Sequence, residues 1–177
     1  AGYQGWGKYQ TRQAEAASDL YQEMLRSLEN EALTRVRESA DRLISKYGST
    51  AYADTASLML ARLDVEAGQL EQAGHHLSRV IDHSKDSAMQ HIARLRLVTL
   101  ALDQGDLKWA DQLLKIQPMG GFESRYDELR GDIFTARNDL KNARNAYQSA
   151  LENAVIGSVA AQILDRKLNS VRRVDDR

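Results

Sequence analysis

The sequence predicts an all-α fold built from helical hairpins. Three observations lead to this prediction. Ala, Leu, Gln, Arg, Glu and Asp dominate the 177 residues, and straight-chain side chains of this kind lose little rotamer freedom in a helix. Runs of β-branched residues, which are typical of strands, are missing. A short motif also recurs at an interval that fits a two-helix repeat.

The recurring motif consists of a turn residue, one polar residue, leucine, two further residues and alanine. It occurs three times, at residues 68–73, 105–110 and 138–143. The motif alanines lie 37 and then 33 residues apart, and a large side chain follows each alanine by four residues. This spacing matches the tetratricopeptide period of about 34 residues. The predicted architecture is therefore a tetratricopeptide-like helical-hairpin solenoid with a C-terminal capping helix.

Each position of the motif has a physical reason. Gly or Asn at the first position tolerates the left-handed conformation that a tight turn between two helices requires. Alanine lets the second helix of a hairpin approach the first closely, and the large residue one turn later fills the space against the next hairpin. Since one hairpin cannot bury both of its faces, such units must stack. The predicted hairpins are 51–84, 87–117 and 123–153.

The two ends of the chain are less regular. Residues 11–47 resemble a degenerate hairpin whose two helices span 11–30 and 31–47, and we expect Gly48 to end the second helix with a positive φ. Residues 155–171 are predicted to form the capping helix, with Val159, Ile163, Leu164 and Leu168 on one side. The helical-repeat domain thus covers 11–171, between a lead-in at 1–10 and a frayed tail at 172–177.

Composition and motifs give no case for an enzyme or for a nucleic-acid-binding protein. Basic and acidic residues number 24 and 25, whereas nucleic-acid binding requires a basic patch. The chain has no cysteine, which excludes disulfides and cysteine-ligated metals. The four histidines (His75, His76, His83, His91) include no pair spaced by four residues, and nucleophile-elbow and phosphate-loop motifs are absent. We therefore expect no catalytic, cofactor-binding or metal-binding residues.

Several segments together resemble the YfgM-like family, the ancillary subunit of the bacterial Sec translocon. An N-terminal stretch is similar to the region that follows the family's membrane helix, two segments are similar to its first clear repeat, and the others are similar to its last repeat and its C-terminal end. These segments are Gly5-Trp6-Gly7-Lys8-Tyr9 with 13–18 and 21–22, Ser57-Leu58-Met59-Leu60-Ala61 with 70–73, Leu129-Arg130-Gly131-Asp132 with 141–147, and Lys167-Leu168-Asn169-Ser170.

The resemblance implies a single-pass inner-membrane protein whose helical-repeat domain lies in the periplasm. It implies association with the SecYEG translocon and the periplasmic chaperone PpiD, and no catalysis. Unfolded secreted chains are a further candidate partner. On this view residues 1–10 are a juxtamembrane lead-in to an anchor absent from the chain. Tyr3, Trp6 and Tyr9 would then form an aromatic belt at the membrane surface; on the residues alone, a disordered end is an equal alternative.

In a tetratricopeptide-like architecture the first helices of successive hairpins line a concave groove. Polar residues at groove positions are the candidate partner-binding residues: Arg62, Glu66, Thr99, Asp103, Arg125, Glu128 and Asp132. Their mixed charges argue against a groove adapted to one acidic tail. We expect the groove to contact a periplasmic chaperone or emerging secreted chains.

Three other functional classes remain open from the sequence. One is a structural subunit that self-associates through the helix at 155–171. Another is an outer-membrane assembly repeat protein, normally lipid-anchored through a cysteine. An enzyme is the last and has the least support.

Overall fold

The computed structural model describes residues 2–116 and 120–175, and describes side chains within 12–116 and 120–172. These residues form helices and no strands. The helices are α1 (Gly2–Glu29), α2 (Leu33–Tyr47), α3 (Ala51–Glu66), α4 (Leu70–His83), α5 (Ser87–Asp103), α6 (Leu107–Leu113), α7 (Glu123–Ala136), α8 (Leu140–Glu152) and α9 (Val159–Asp175). The predicted all-α class is confirmed, and α3 with α4 and α7 with α8 form the hairpins predicted at 51–84 and 123–153. In the hairpin predicted at 87–117, α5 and α6 contribute to one core cluster, and residue 117 lies outside the described residues.

The chain divides into two compact units, Ala1–Ala93 and Arg94–Arg177. In the first unit, α1 pairs with α2 and α3 pairs with α4. Buried aliphatic residues of α1, α2 and α3 form one core cluster. Its fully buried members include Met24, Val36, Leu43 and Leu60.

The second unit pairs α7 with α8 and places α9 against α8. One core cluster joins the last part of α5 with α6 and α7, and Tyr126 and Ile133 lie at its centre. A second cluster joins α8 and α9, where Tyr147 packs with Leu164 and Leu168. The capping helix is therefore present and buries part of its surface on the last hairpin.

The recurring sequence motif takes the predicted structure at all three places. Gly68, Gly105 and Asn138 have φ values of 73°, 75° and 58°. At each turn the next residue donates to a carbonyl five positions earlier, as Gln69 N does to Asp64 O at 2.7 Å, which is the Schellman helix ending. The three motif alanines and the three large residues that follow them are all buried.

A fourth turn of the same kind lies between α1 and α2. Glu31 has φ 56°, and Ala32 N donates to Ser27 O at 2.9 Å. The N-terminal hairpin is thus a repeat-like unit whose turn uses a residue with a Cβ, at a cost of roughly 1 kcal/mol. No glycine marks this turn, which explains why the sequence motif does not extend to it.

Two expectations about helix ends are wrong. Gly48 ends α2 with φ −58°, because the chain continues in a helical conformation into the turn before α3. Its carbonyl accepts a hydrogen bond from Arg79 Nη2 at 2.6 Å. The first helix begins at Gly2, nine residues before the predicted start, so the backbone of residues 2–10 is helical. The side chains of Tyr3, Trp6 and Tyr9 lie outside those described.

The capping helix begins at Val159 rather than at 155. Gly157 has φ 76°, and the Ser158 hydroxyl accepts a hydrogen bond from Ala161 N at 3.1 Å, so a turn and a cap precede the helix. Of the four residues expected on one side of the helix, Leu164 and Leu168 are buried, whereas Val159 and Ile163 are exposed. The helix continues through 172–175, residues expected to be frayed; 176–177 lie outside the described residues.

Candidate partner-binding surface

The seven candidate groove residues do not form one kind of surface. Arg62 and Glu66 lie on α3 in the first unit. Arg62 Nε lies 3.1 Å from Glu66 Oε1, and both side chains are more than half exposed. An exposed ion pair one helical turn apart contributes about 0.3–0.5 kcal/mol to stability. Both side chains can therefore leave this contact and bind a partner with little loss of stability.

Two candidates lie in the last part of α5. The Thr99 hydroxyl donates to Leu95 O at 3.1 Å and is half-buried. Asp103 is exposed at the last position of the helix. Of the two, only Asp103 carries a charge, and this residue is exposed to solvent.

The three candidates on α7 meet a residue that the sequence did not single out. Lys167 of α9 places Nζ 2.8 Å from Glu128 Oε1 and 2.7 Å from both carboxylate oxygens of Asp132. Arg125 Nη1 binds the other oxygen of Glu128 at 2.5 Å. Two carboxylates of α7 thus hold the ammonium group of the capping helix, and we call Glu128, Asp132 and Lys167 the carboxylate clamp.

Tyr147 of α8 completes the surroundings of the clamp. Its hydroxyl donates to Asp132 Oδ1 at 2.8 Å and lies 3.0 Å from the Thr135 hydroxyl. Lys167 Nζ also lies 5.8 Å from the centre of the Tyr147 ring, within cation–π range. Burial, the largest cause, raises the pKa of Tyr147, and Asp132 raises it further, so the phenol stays protonated.

Gly131 is the reason that the Tyr147 ring can lie against α7. A Cβ at this position would stand 2.4 Å from Cε1 and 2.5 Å from Cδ1 of the ring. Gly131 is thus required for a close helix–helix contact, although the sequence identified it only as part of the segment similar to the family's last repeat.

The electrostatics of the clamp follow from this packing. Burial alone would raise the pKa of Glu128, but hydrogen bonds from Lys167 and Arg125 outweigh it and leave that pKa below its ordinary value. Glu128 is buried and Asp132 is only partly accessible. Within the second unit these two carboxylates hold α9 on the last hairpin. Arg125 is the most accessible of the three α7 candidates.

The first unit contains two ionic networks that the sequence did not indicate. Arg79 of α4 places Nη1 3.2 Å from Asp54 Oδ1 and 3.1 Å from the Ser57 hydroxyl of α3, while Nη2 holds the Gly48 carbonyl. One guanidinium therefore joins the end of α2 to α3 and α4. Asp54 is buried, so this contact neutralises a charge that has left water.

The second network centres on the buried Asp64 of α3. Arg37 Nη1 donates to Asp64 Oδ1 at 2.6 Å, and His76 Nε2 lies 3.5 Å from Oδ2. Within the described residues Oδ2 of Asp64 makes no hydrogen bond. Burial lowers the pKa of His76 below 6.5, although Asp64 and Asp41 oppose the shift.

Among the side chains described within 12–116 and 120–172, no three His, Asp or Glu residues are grouped so that they could hold a metal ion. Trp109 packs against the core cluster around Tyr126 and Ile133.

A cavity of about 400 Å³ opens beside the turn between α1 and α2. Charged residues of both signs line it, among them Arg26, Arg35, Arg42, Glu23 and Glu38. Like the groove candidates, this lining favours neither a strongly acidic nor a strongly basic ligand.

None of the helices within the described residues combines the length and the apolar character that crossing a membrane requires.

Comparison with known proteins shows the family. The model of the family described as "Tetratricopeptide repeat-like domain" matches residues 1–173. A protein of Neisseria gonorrhoeae is 29% identical over 175 residues, which cover 97% of this chain and 84% of that protein. A protein of Aggregatibacter actinomycetemcomitans is 28% identical over 96% of this chain and 82% of its own length.

A protein of Escherichia coli is 25% identical over 96% of this chain and 81% of its own length. All three relatives carry the name "Ancillary SecYEG translocon subunit". They confirm the resemblance to the YfgM-like family that the sequence segments indicated. By its fold, its recurring turns and the match over 173 residues, the chain belongs to the family of the tetratricopeptide repeat-like domain.

Proposed function

We propose that this chain is a protein-interaction scaffold that associates with the SecYEG translocon during protein secretion and folding. In this proposal it is the periplasmic domain of a single-pass inner-membrane protein, and a PpiD-like chaperone is a second partner. The scaffold performs no catalysis and contacts secreted chains as they emerge.

The observation that carries the proposal is similarity along nearly the whole chain to relatives that share one name. The alignments with the three relatives cover 96–97% of this chain, so the similarity includes both compact units. Helical hairpins of this kind present side chains from a rigid framework, which suits the binding of other proteins. The relatives described above give no support to the alternative of an outer-membrane assembly protein.

The seven groove candidates differ in how accessible they are to a partner. Arg62, Glu66 and Asp103 are exposed and free to contact a partner, and Arg125 is accessible beside the clamp. Glu128 and Asp132 act mainly by holding α9, and Thr99 by bonding to its own helix. We propose that partner contact in each unit depends chiefly on the accessible members.

Charge reversal of Arg62 and Arg125 together, as Arg62→Glu and Arg125→Glu, tests this surface. Chemical cross-linking of the purified chain to SecYEG should fall in the double variant, because two accessible cations in the predicted groove become anions. The matched control is Lys46→Glu with Lys141→Glu, which reverses one exposed cation in each unit on α2 and α8. Equal cross-linking by the groove variant, the control and the parent chain would exclude the groove.

Association itself is tested separately by cross-linking the unaltered chain to SecYEG and to a PpiD-like chaperone, each purified. The proposal expects a cross-linked product with SecYEG that excess unlabelled chain competes away. A chain that yields no competable product with either protein is not a translocon scaffold.

A further inference from the structure

An exposed apolar patch lies where the last hairpin passes into the capping helix. The patch consists of Val155, Ile156, Val159 and Ile163, whose exposed fractions are 77%, 98%, 70% and 41%. Val159 and Ile163 are four residues apart on α9 and therefore lie on the same face, one turn apart. Scattered single apolar residues on a surface need no explanation, but four within nine residues form a patch.

The backbone holds this patch in a defined shape. Ser158 N donates to Val155 O at 3.1 Å, and Gly157 takes φ 76°, as in a type II turn with Ile156 at its tip. The Ser158 hydroxyl caps the first turn of α9. An isoleucine at a turn tip gains nothing for the stability of the fold, because its side chain contacts almost nothing within the chain.

The size of the patch limits what can cover it. Its four side chains expose roughly 500 Å² of surface, within the 300–600 Å² typical of the largest apolar patch on a monomer. A stable protein–protein interface buries about 800 Å² on each partner. A second copy of this chain would therefore need further apolar surface beside the patch, yet Asp165 and Arg166 follow it on α9 and Glu152 precedes it, all three exposed.

The composition of the patch separates a protein partner from a lipid surface. Residues 153–164 contain no charged and no aromatic side chain. Membrane-surface segments combine apolar residues with Trp or Tyr at headgroup depth and with Lys or Arg on the polar face. A purely aliphatic patch instead fits the aliphatic side chains of a short peptide segment, whose contact would need no charged or aromatic group from this chain.

We propose that Val155, Ile156, Val159 and Ile163 dock a short aliphatic segment of another protein, about two helical turns or an extended strand long, supplied by a subunit of the translocon. This inference rests on the proposed function for the identity of the partner. It adds the surface and the chemistry of the contact, which are apolar and lie outside the charged groove positions.

The test measures binding of the fluorescently labelled 177-residue chain to purified SecYEG in lipid nanodiscs. The patch variant Val155→Asp with Ile156→Asp should bind roughly thirtyfold more weakly or worse, because it places two charges in a desolvated contact. Both side chains are exposed, so the variant retains the helical circular dichroism and the urea midpoint of the parent. The matched control is Gln112→Asp with Asn145→Asp, which adds two charges at exposed positions of the same unit and leaves binding unchanged.

Photo-cross-linking identifies the occupant. A benzoylphenylalanine in place of Ile156 should cross-link to a SecYEG polypeptide, and one in place of Asn145 should not. Cross-linking to lipid, together with patch-dependent binding to nanodiscs that lack SecYEG, would show a membrane contact and overturn the inference. A product of twice the mass of the chain would show self-association and overturn it as well.

The two proposals fail in different ways. If the parent chain binds SecYEG and the patch variant binds equally well, the docking surface is wrong and the proposed function stands. If the parent chain does not bind SecYEG at all, both proposals are wrong.

Discussion

Replacing Gly131 with alanine sets two physical effects against each other. Alanine in a helix interior is normally more stable than glycine by about 1 kcal/mol. At this position the new Cβ would stand 2.4 Å from the Tyr147 ring, whereas ordinary contacts begin near 3.4 Å. The ring therefore has to move by about 1 Å, and Tyr147 is buried and hydrogen-bonded to Asp132.

The magnitude follows from these contacts. Overpacking of a core by one methyl group costs about 1–3 kcal/mol. Loss of the two tyrosine hydroxyl contacts adds about 1 kcal/mol each. After the gain in helix propensity is subtracted, Gly131→Ala should lower the free energy of unfolding of the second unit by about 2–4 kcal/mol.

Urea unfolding followed by tryptophan fluorescence measures the effect. A Trp6→Phe background leaves Trp109, which packs in the second unit, as the single reporter. Combination with Tyr147→Leu removes the ring, so in that background Gly131→Ala should be neutral or stabilising. If Gly131→Ala is harmless in the parent chain, or equally harmful in both backgrounds, the close contact between α7 and α8 is not what requires glycine.

Three further predictions concern the ionic networks. Lys167→Met should lower the free energy of unfolding by about 1–3 kcal/mol at pH 7 and by less near pH 4. The pKa of Glu128 is lowered from 4.5 in the folded state, so its ionised carboxylate contributes stability above about pH 4.5, and this contribution is lost as the pH falls. Arg79→Met should cost about 2–4 kcal/mol, since it leaves Asp54 buried without its partner. The third variant is His76→Gln. Because the pKa of His76 is below 6.5 in the folded state, the unfolded state binds more protons between pH 7 and pH 5, and the folded state loses stability on acidification. His76→Gln should therefore reduce the fall in the free energy of unfolding between pH 7 and pH 5.

Urea unfolding at each pH measures all three changes. The control for Arg79→Met is Arg62→Ala, which removes an exposed pair and should cost less than about 0.5 kcal/mol. The same loss for Lys167→Met at pH 4 and pH 7 would contradict the account of the clamp. The charged and titratable groups that act on His76 are Asp64, Asp41, Arg37 and His75. An unchanged pH profile after His76→Gln would contradict the assignment of this stability loss to His76.

The hairpins could be predicted because their signals are local. A left-handed turn residue, a leucine and an alanine within six positions determine where one helix ends and the next packs, and Gly68 with Ala73 shows this in the structure. The turn at Glu31 could not be predicted, because glutamate has no preference for a positive φ. Glycine has no penalty for a positive φ, which led to the prediction at Gly48, but Gly48 has a negative φ.

The ionic contacts could not be predicted because they join residues far apart in the sequence. Lys167 and Glu128 lie 39 positions apart, and Arg79 and Asp54 lie 25 apart. Sequence periodicity places each residue on a helix face but does not give the rotation of one helix against another. The same limit explains the capping helix, where Leu164 and Leu168 turned inward as expected and Val159 and Ile163 turned outward.

The central claim, that this helical-hairpin chain is a translocon-binding scaffold, is tested most directly by titrating it against purified SecYEG in nanodiscs. Fluorescence anisotropy of the labelled chain should rise to saturation at a ratio of one chain per translocon, and nanodiscs of lipid alone should leave it unchanged. An anisotropy that stays flat across the titration, or that rises equally with lipid alone, would contradict the claim.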